Sequence, residues 1–179
     1  MTPWGPISLA TLMTLGAAEP AGAAPDRATA LAATITAAAG WAGVVPELLA
    51  AVTWVESRGN PLALGIGGRA LNPRNHTEAV TLLQAAGGRA DIGLAQIHYH
   101  IWGPVFGLRP EDLLDPWTNL HVAAVILRHA MAQEPGTWGG VGRYHSATPW
   151  RKWWYARRVA TVVNAFRRPA LLPGGRLQP

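Results

Sequence analysis

The sequence predicts a single, mainly α-helical domain with at most a small β element. Its 179 residues fit one domain and are enough to bury a core. Hydrophobic residues make up 49% of the chain and charged residues only 14%, a balance that argues against intrinsic disorder despite 20 glycines and 15 prolines. Apolar residues recur at helical spacing between short connections that contain Gly and Pro, so we expect about six helices.

Local start and stop signals place the helices along the chain. An N-cap residue or a proline begins a periodic segment, and glycine or proline ends it. The predicted helices are 27–39, between Asp26 and Gly40; 46–58, between Pro46 and Gly59; 77–86, before Gly87; 115–133, from Asp115 to Pro135; and 148–168, from Thr148 to Pro169. Residues 62–75 predict a loop or a short strand.

Apolar stripes give the last two helices an inward face. The inward residues are predicted to be Leu120, Ala124, Leu127 and Met131 in one helix and Tyr155, Val159, Val162 and Phe166 in the other. The nine tryptophans suit either a core or a sugar-binding surface. We expect Trp54, Trp117, Trp153 and Trp154 to pack inside, and Trp102 and Trp138, in loop-like sequence, to line a cleft.

The N-terminal residues resemble a secretory signal. An apolar run over 7–15 is followed by Ala21-Gly22-Ala23-Ala24, a small-residue sequence typical of cleavage sites, and the run is too short to span a membrane comfortably. We therefore expect a signal peptide over 1–24, a folded domain over 25–168 and a disordered tail over 169–179. No Lys or Arg precedes the apolar run, so a hydrophobic extension without a signal function stays open.

Basic residues are concentrated near the C-terminus. The chain has 15 Lys and Arg against 10 Asp and Glu, and no acidic residue follows Glu134, whereas arginines continue to Arg176. Such a segment suits a polyanion, whether a nucleic acid, an anionic membrane surface or a charged wall polymer. It is equally typical of a solvated helix face.

Several kinds of chemistry are excluded or disfavoured. The chain has no cysteine, which excludes disulfides, Cys-ligated metals and thiol nucleophiles. It has no phosphate-binding glycine motif, which argues against a nucleotide enzyme. His98 and His100 stand two residues apart without a nearby acidic cluster, so we expect neither a metal nor another cofactor.

One carboxylate stands out from the helical pattern. Glu56 follows Leu49 by seven residues and Val52 by four, which places it on the face that should enter the core. Burial of this carboxylate would either require a hydrogen-bond or ion-pair partner or raise the pKa of Glu56 toward the range of a general acid. A glutamate in the last turn can also turn to solvent, and periodicity alone does not decide between these outcomes.

Three motifs follow one another in a fixed order. They are Glu56-Ser57-Arg58-Gly59-Asn60-Pro61, Asp91-Ile92-Gly93-Leu94-Ala95-Gln96-Ile97 and Val141-Gly142-Arg143-Tyr144-His145-Ser146. Together they resemble the E-S-x-x-N-P, G-L-M-Q and A-Y-N patterns of the soluble lytic transglycosylase domain in the lysozyme-like superfamily. The resemblance covers about residues 41–163 and implies a lysozyme-like fold.

Additional segments are similar to the small transglycosylases of type IV secretion and conjugation systems. These segments are 60–64, 78–80, 90–97, 114–120, 143–146 and 155–159. Type III secretion relatives stay open. The resemblance implies a periplasmic enzyme, exported by its N-terminal signal, that we expect to act as a monomer for such a machine.

The resemblance also implies roles for individual residues. Glu56 would be the single catalytic acid and base, Ser57 would polarise the region of the cleaved bond, and Gln96 would bind sugar. Tyr144 would hydrogen-bond the catalytic carboxylate, and Tyr155 matches a second tyrosine of the cleft. Two departures exist, because Ala95 replaces the methionine of G-L-M-Q and His145-Ser146 replaces the asparagine and its neighbour in A-Y-N.

The implied reaction cleaves the β-1,4 bond between N-acetylmuramic acid and N-acetylglucosamine in peptidoglycan without water and leaves a 1,6-anhydro product. A two-carboxylate hydrolase would need a second acid, for which only Asp91 lies in a matching motif, and we expect Asp91 to be structural. A further alternative is an adaptor that keeps the scaffold but serves the machine by binding. The interpretation as a nucleic-acid-binding protein rests on the arginines alone, and we expect no specific nucleic acid partner.

Overall fold

A computed structural model describes residues 26–134 and 136–167. The predicted signal peptide and the predicted tail lie outside these residues. The described part contains seven α-helices, namely α1 (Arg27–Ala42), α2 (Pro46–Ser57), α3 (His76–Ala85), α4 (Tyr99–Phe106), α5 (Pro116–Ala132), α6 (Thr137–His145) and α7 (Pro149–Arg167), a 3-10 helix (Pro110–Leu114), and strands β1 (Leu64–Ile66), β2 (Arg69–Leu71), β3 (Ala90–Ile92) and β4 (Ile97–His98). The predicted class, mainly α with a small β element, is confirmed.

Helix α1 begins as predicted but ends later. The Asp26 carboxylate accepts a hydrogen bond of 2.8 Å from the Thr29 amide and caps the first turn. The end predicted at Gly40 is wrong, because the helix continues to Ala42 and Gly43 adopts the left-handed conformation that closes it. Gly40 and Gly43 are both compatible with a helix end, and only the backbone conformation at Gly43, φ 67°, distinguishes them.

The β element is one antiparallel sheet of very short strands, in the order β2-β1-β3-β4. The β1–β2 hairpin lies within the segment predicted as a loop or short strand. Strands β3 and β4 were not predicted, because strands of three and two residues are too short to show alternation. Their register places Asp91 opposite His98.

Two of the helices have no clear sequence signal. Helix α4 contains Pro104, and helix α6 has glycine at positions 139, 140 and 142. Both features lower helix propensity, and tertiary packing overrides them. The loop assignments for Trp102, in α4, and Trp138, in α6, are therefore wrong.

Helix α5 forms the centre of the core. Nine of its residues are buried, including Leu120, Ala124 and Leu127 as predicted. In α7, Tyr155 and Val159 are buried as predicted, whereas Phe166 is 49% exposed and its predicted inward position is wrong. At about 100° per residue Phe166 lies on the same face as Tyr155 and Val159, so its exposure follows from its place in the last turn of α7, beyond the buried Val163.

The tryptophans lie further outward than predicted. Trp54, Trp153 and Trp154 are 44%, 50% and 49% exposed, so their assignment to the core is wrong, and Trp117 is only partly buried. Within residues 26–134 and 136–167, no helix combines the length and the apolar character that a membrane span needs.

Candidate active site

A cavity of about 420 Å³ opens beside the C-terminal end of α2. Its polar lining consists of Glu56, Asp91, Gln96, His98, Tyr144 and His145, and its apolar wall of Ile97, Ile101, Trp102 and Ile126. The three sequence motifs thus meet here, each contributing at least one polar side chain. Of the five site residues predicted from the sequence, Glu56, Gln96 and Tyr144 line this cavity.

Glu56 occupies the last turn of α2, where the helix is about to end. Val52, one turn earlier, is fully buried, and this helix face carries the carboxyl group inward. Burial raises the pKa of Glu56 to about 7, and the negative charge of Asp91 adds to this effect. The Tyr155 hydroxyl, which faces the carboxyl group, and the charge of Arg158 act in the opposite direction. Burial outweighs both, so the carboxyl group is about half protonated at neutral pH.

Tyr155 reaches Glu56 from helix α7. Its side chain is buried, and its hydroxyl oxygen has no hydrogen-bond partner of good distance and angle within the described residues. The group that it faces is the Glu56 carboxyl. Burial raises the pKa of Tyr155 well above its usual value, and the charge of Glu56 adds to this effect. The hydroxyl therefore remains protonated and is available as a donor to Glu56.

Tyr144 has a different partner from the one that the resemblance implies. Its hydroxyl donates a 2.9 Å hydrogen bond to the Ala95 carbonyl, not to the Glu56 carboxylate. The ring packs near that of Tyr155, with centroids 6.4 Å apart. Tyr144 thus joins helix α6 to the loop between β3 and β4, and Tyr155 is the tyrosine that interacts directly with Glu56.

The loop between β3 and β4 is held by a buried asparagine. The Asn119 side chain accepts a hydrogen bond of 2.9 Å from the Ala95 amide and donates two of 2.8 Å, to the carbonyls of Ile92 and Leu113. Gly93 has φ 78°, and a Cβ atom there would clash with the Asn119 amide nitrogen. Asn119 therefore fixes a turn, and Asp115 caps the start of helix α5.

Gln96 has a constrained backbone and a constrained side chain. It is one of two non-glycine residues with positive φ in the described chain, at 47°. Its Nε2 donates hydrogen bonds of 2.9 Å to the carbonyls of Ala63 and Gly93. Because both amide hydrogens are engaged, the side chain can offer the cavity its Oε1 as an acceptor.

Ser57 does not line the cavity. Its hydroxyl lies 2.7 Å from the Leu94 carbonyl and 3.3 Å from the Thr53 carbonyl, and it accepts from the Gly59 amide at 3.2 Å. It joins the end of α2 to the β3–β4 loop, next to the residue that carries the buried carboxylate.

His98 and His145 complete the polar lining, and sequence reasoning assigned neither of them a role in the site. His98 Nδ1 lies 2.6 Å from Asp91 Oδ1 across the β3–β4 pair. The His145 ring stacks on Tyr155, with centroids 4.7 Å apart and planes 6° from parallel. The pairing of Asp91 with His98 depends on the register of two very short strands, which could not be found from the sequence. The position of His145 directly after Tyr144, in contrast, was a usable signal. No cluster of three His, Asp or Glu suited to a metal occurs in the described parts of the chain.

Comparison with known proteins agrees with the resemblance seen in the motifs. A family model described as the transglycosylase SLT domain matches residues 33–156. The type IV secretion system protein virB1 of Brucella abortus (strain 2308) is 36% identical over 103 residues, which cover 52% of this chain and 42% of that protein. The same protein of Brucella suis biovar 1 (strain 1330) gives the same values.

Protein virB1 of Agrobacterium fabrum is 38% identical over 89 residues, or 47% of this chain and 36% of that protein. The alignments thus span less than half the length of these curated relatives. No solved structure matches the chain significantly. The SLT match covers more than half of the chain and includes every residue placed above around the cavity. The chain belongs to the transglycosylase SLT domain family.

Proposed function

We propose that this protein is a peptidoglycan lytic transglycosylase that cleaves the β-1,4 bond between N-acetylmuramic acid and N-acetylglucosamine. The observation that carries the proposal is the carboxyl group of Glu56, partly buried at a cavity with its pKa raised to about 7. A group that is about half protonated at neutral pH can serve as acid and then as base in one cycle.

Glu56 acts in two steps. The neutral carboxyl group donates its proton to the glycosidic oxygen, and the bond from that oxygen to C1 of the muramic residue breaks. The resulting carboxylate takes the proton from the muramic 6-hydroxyl, whose oxygen forms a bond to C1. The products are a free 4-hydroxyl on one sugar and a 1,6-anhydro ring on the other, and Glu56 is again protonated.

The other candidate residues support this cycle. The Tyr155 hydroxyl stabilises the carboxylate that exists between the two steps, because it can donate a hydrogen bond to the charged form. Gln96 accepts a hydrogen bond from a sugar through Oε1. Tyr144 and Ser57 contribute to substrate binding by holding the β3–β4 loop that carries Gln96.

The relatives favour a role beside a secretion apparatus. Those named above are virB1 proteins, two of them described as type IV secretion system proteins. We propose that this chain acts in the periplasm as a monomer and opens the wall locally for a secretion or conjugation machine. An adaptor without activity is the competing proposal, and the raised pKa of Glu56 favours the enzyme.

A two-carboxylate hydrolase is the second candidate reaction. Asp91 lines the same cavity, and its charge reaches Glu56 strongly enough to raise the pKa of that residue. Its Oδ1 is engaged by His98, however, which favours a structural carboxylate. The hydrolase would consume water and leave a reducing end in place of the anhydro ring.

Digestion of purified sacculi tests these alternatives. The wild-type protein, Glu56→Gln and the control Glu47→Gln, an exposed glutamate in the first turn of the same helix, are compared by mass spectrometry of released muropeptides. We expect anhydro products, lighter by about one water, from the wild type and the control but not from Glu56→Gln. Hydrated products would assign a hydrolase, and no release by any of the three proteins would favour the adaptor.

A further inference from the structure

One exposed face of helix α7 combines aromatic rings with positive charge. Residues at helical spacing form it, and we call it the Trp/Arg face: Trp150, Trp153, Trp154, Arg157 and Arg158. The three tryptophans are 66%, 50% and 49% exposed, and all five residues line a shallow groove of about 370 Å³. Three large aromatic rings exposed on one helix face are typical of an interaction surface.

The charge of this face is of one sign. Helix α7 contains no acidic residue. The Arg158 guanidinium lies 4.7 Å from the centre of the Trp154 ring, and that of Arg151, beside the face, lies 5.2 Å from Trp150. Cation–π contacts of this kind keep rings and guanidinium groups together in a defined arrangement. The surface therefore complements a ligand that has both flat apolar faces and negative charge.

The Trp/Arg face begins next to the cavity. His145 lines the cavity, and its ring centre lies 6.3 Å from that of Trp154. The same ring stacks on Tyr155, the residue that faces Glu56. The His145 ring thus lies between the candidate active site and Trp154, the tryptophan of this face that it contacts.

A cavity of about 420 Å³ holds only a short part of a polymer. If the substrate is a glycan strand, the rest of the strand must cross the neighbouring surface. We propose that the Trp/Arg face binds the part of the peptidoglycan strand that extends beyond the cavity, tryptophan rings against sugar faces and arginines against carboxylates of the stem peptides. This inference rests on the proposed function and adds to it a second binding surface outside the cavity.

The test uses a triple variant and a matched control on the same helix. Trp150→Ala, Trp153→Ala and Arg157→Ala remove one half of the Trp/Arg face and leave Trp154 and Arg158 next to the site. Phe166→Ala with Arg167→Ala removes an aromatic ring and an arginine that are also exposed but lie off this face. All proteins carry Glu56→Gln as well, so that sacculi are not consumed during binding.

Cosedimentation with lipid-free sacculi measures the affinity. We expect the triple variant to bind at least about tenfold more weakly, since truncating an anchoring aromatic or arginine commonly costs at least a factor of ten. We expect the control to bind like its parent.

In sacculi whose carboxylates are blocked by amide formation, Arg157→Glu should no longer weaken binding, whereas the two tryptophan substitutions still should. Equal binding by the triple variant and the control would refute the proposal.

Vesicles of phosphatidylglycerol test the competing occupant, an anionic membrane. Loss of vesicle binding by the triple variant with sacculus binding unchanged would overturn the proposal in favour of a lipid surface. Thermal melting checks that all variants fold, and the exposed single substitution Arg157→Glu provides a second readout if the triple variant melts early.

The failure of the proposed function is visible separately. If the protein with Glu56 intact releases no product from sacculi while the Trp/Arg face still determines binding, the enzyme assignment fails and the binding surface stands. If products form and the triple variant loses neither binding nor rate on sacculi, the binding surface fails and the enzyme assignment stands.

Discussion

At the scale of single residues, the protonation state of Glu56 governs the proposed chemistry. The pKa of about 7 arises mainly from burial, and the residue must be neutral to donate its proton. The rate at low substrate concentration should therefore be constant in mildly acidic solution and fall about tenfold per pH unit above pH 7. Release of anhydro muropeptides from sacculi, followed as a function of pH, measures this. A rate that stays constant up to pH 9 would contradict the role of Glu56 as acid.

Tyr155 influences the pH at which the rate falls. Its hydroxyl faces the Glu56 carboxyl group and lowers the pKa of Glu56 against the larger effect of burial, so Tyr155→Phe should raise this pKa further and move the fall in rate to higher pH. Tyr144→Phe is the matched control, because the Tyr144 hydroxyl donates to the Ala95 carbonyl and not to Glu56. Profiles of both variants that shift equally, or a shift of Tyr155→Phe to lower pH, would be incompatible with this arrangement.

At the scale of elements, glycine in helix α6 permits close packing. A Cβ atom at Gly142 would clash with the Lys152 carbonyl oxygen in α7, whereas one at Gly40 in α1 meets no atom within 4 Å. Gly142→Ala should destabilise the fold by about 1–3 kcal/mol, and Gly40→Ala should stabilise it by about 0.5–1 kcal/mol. Urea unfolding measures both. Similar effects of the two substitutions would show that helix propensity, and not the α6–α7 contact, determines them.

Elements with local signals could be predicted from the sequence, and those made by tertiary contacts could not. Asp26 and Pro46 act within one turn, and they marked the starts of α1 and α2 correctly. Helix α6 is stable because Gly140 and Gly142 let it approach α5 and α7, a relation between distant segments that no local pattern contains. Trp154 is a different case, because it lies about 100° from Tyr155 on the helix and its spacing from the inward residues indicates an exposed position.

The candidate site was predictable to a similar extent. The helical stripe that contains Leu49 and Val52 carried Glu56 inward, and the three motifs brought Gln96 and Tyr144 to the same cavity. The partner of each tyrosine hydroxyl was not predictable, because it depends on angles and distances within about 3 Å.

At the scale of the whole molecule, the cavity lies where two hydrophobic clusters meet. Tyr144 packs against both the cluster around α1, α5 and the sheet and the cluster around α2 and α7. Glu134, just after the end of α5, forms ion pairs of 3.4 Å with Arg143 in α6 and 3.0 Å with Lys152 in α7. Helices α6 and α7 are thus fixed to the end of α5, and the tyrosines that they carry are fixed relative to Glu56.

The buried carboxyl group of Glu56 lowers the free energy of unfolding at neutral and higher pH. The pKa of Glu56 is higher in the folded state, about 7, than its ordinary value of 4.5, so the folded state binds more protons between these pH values and stability falls as pH rises. The loss amounts to roughly 3 kcal/mol, at 1.36 kcal/mol per pKa unit.

Glu56→Gln lacks this loss and should exceed the wild type in free energy of unfolding by up to that amount at pH 8, but not at pH 4. Other titrating groups, such as Glu134 and His121, are common to both proteins, so the difference between them isolates Glu56. Urea unfolding at pH 4, 6 and 8 measures it, and a difference that does not change with pH would show that the Glu56 carboxyl group is solvated and ordinary in the folded protein.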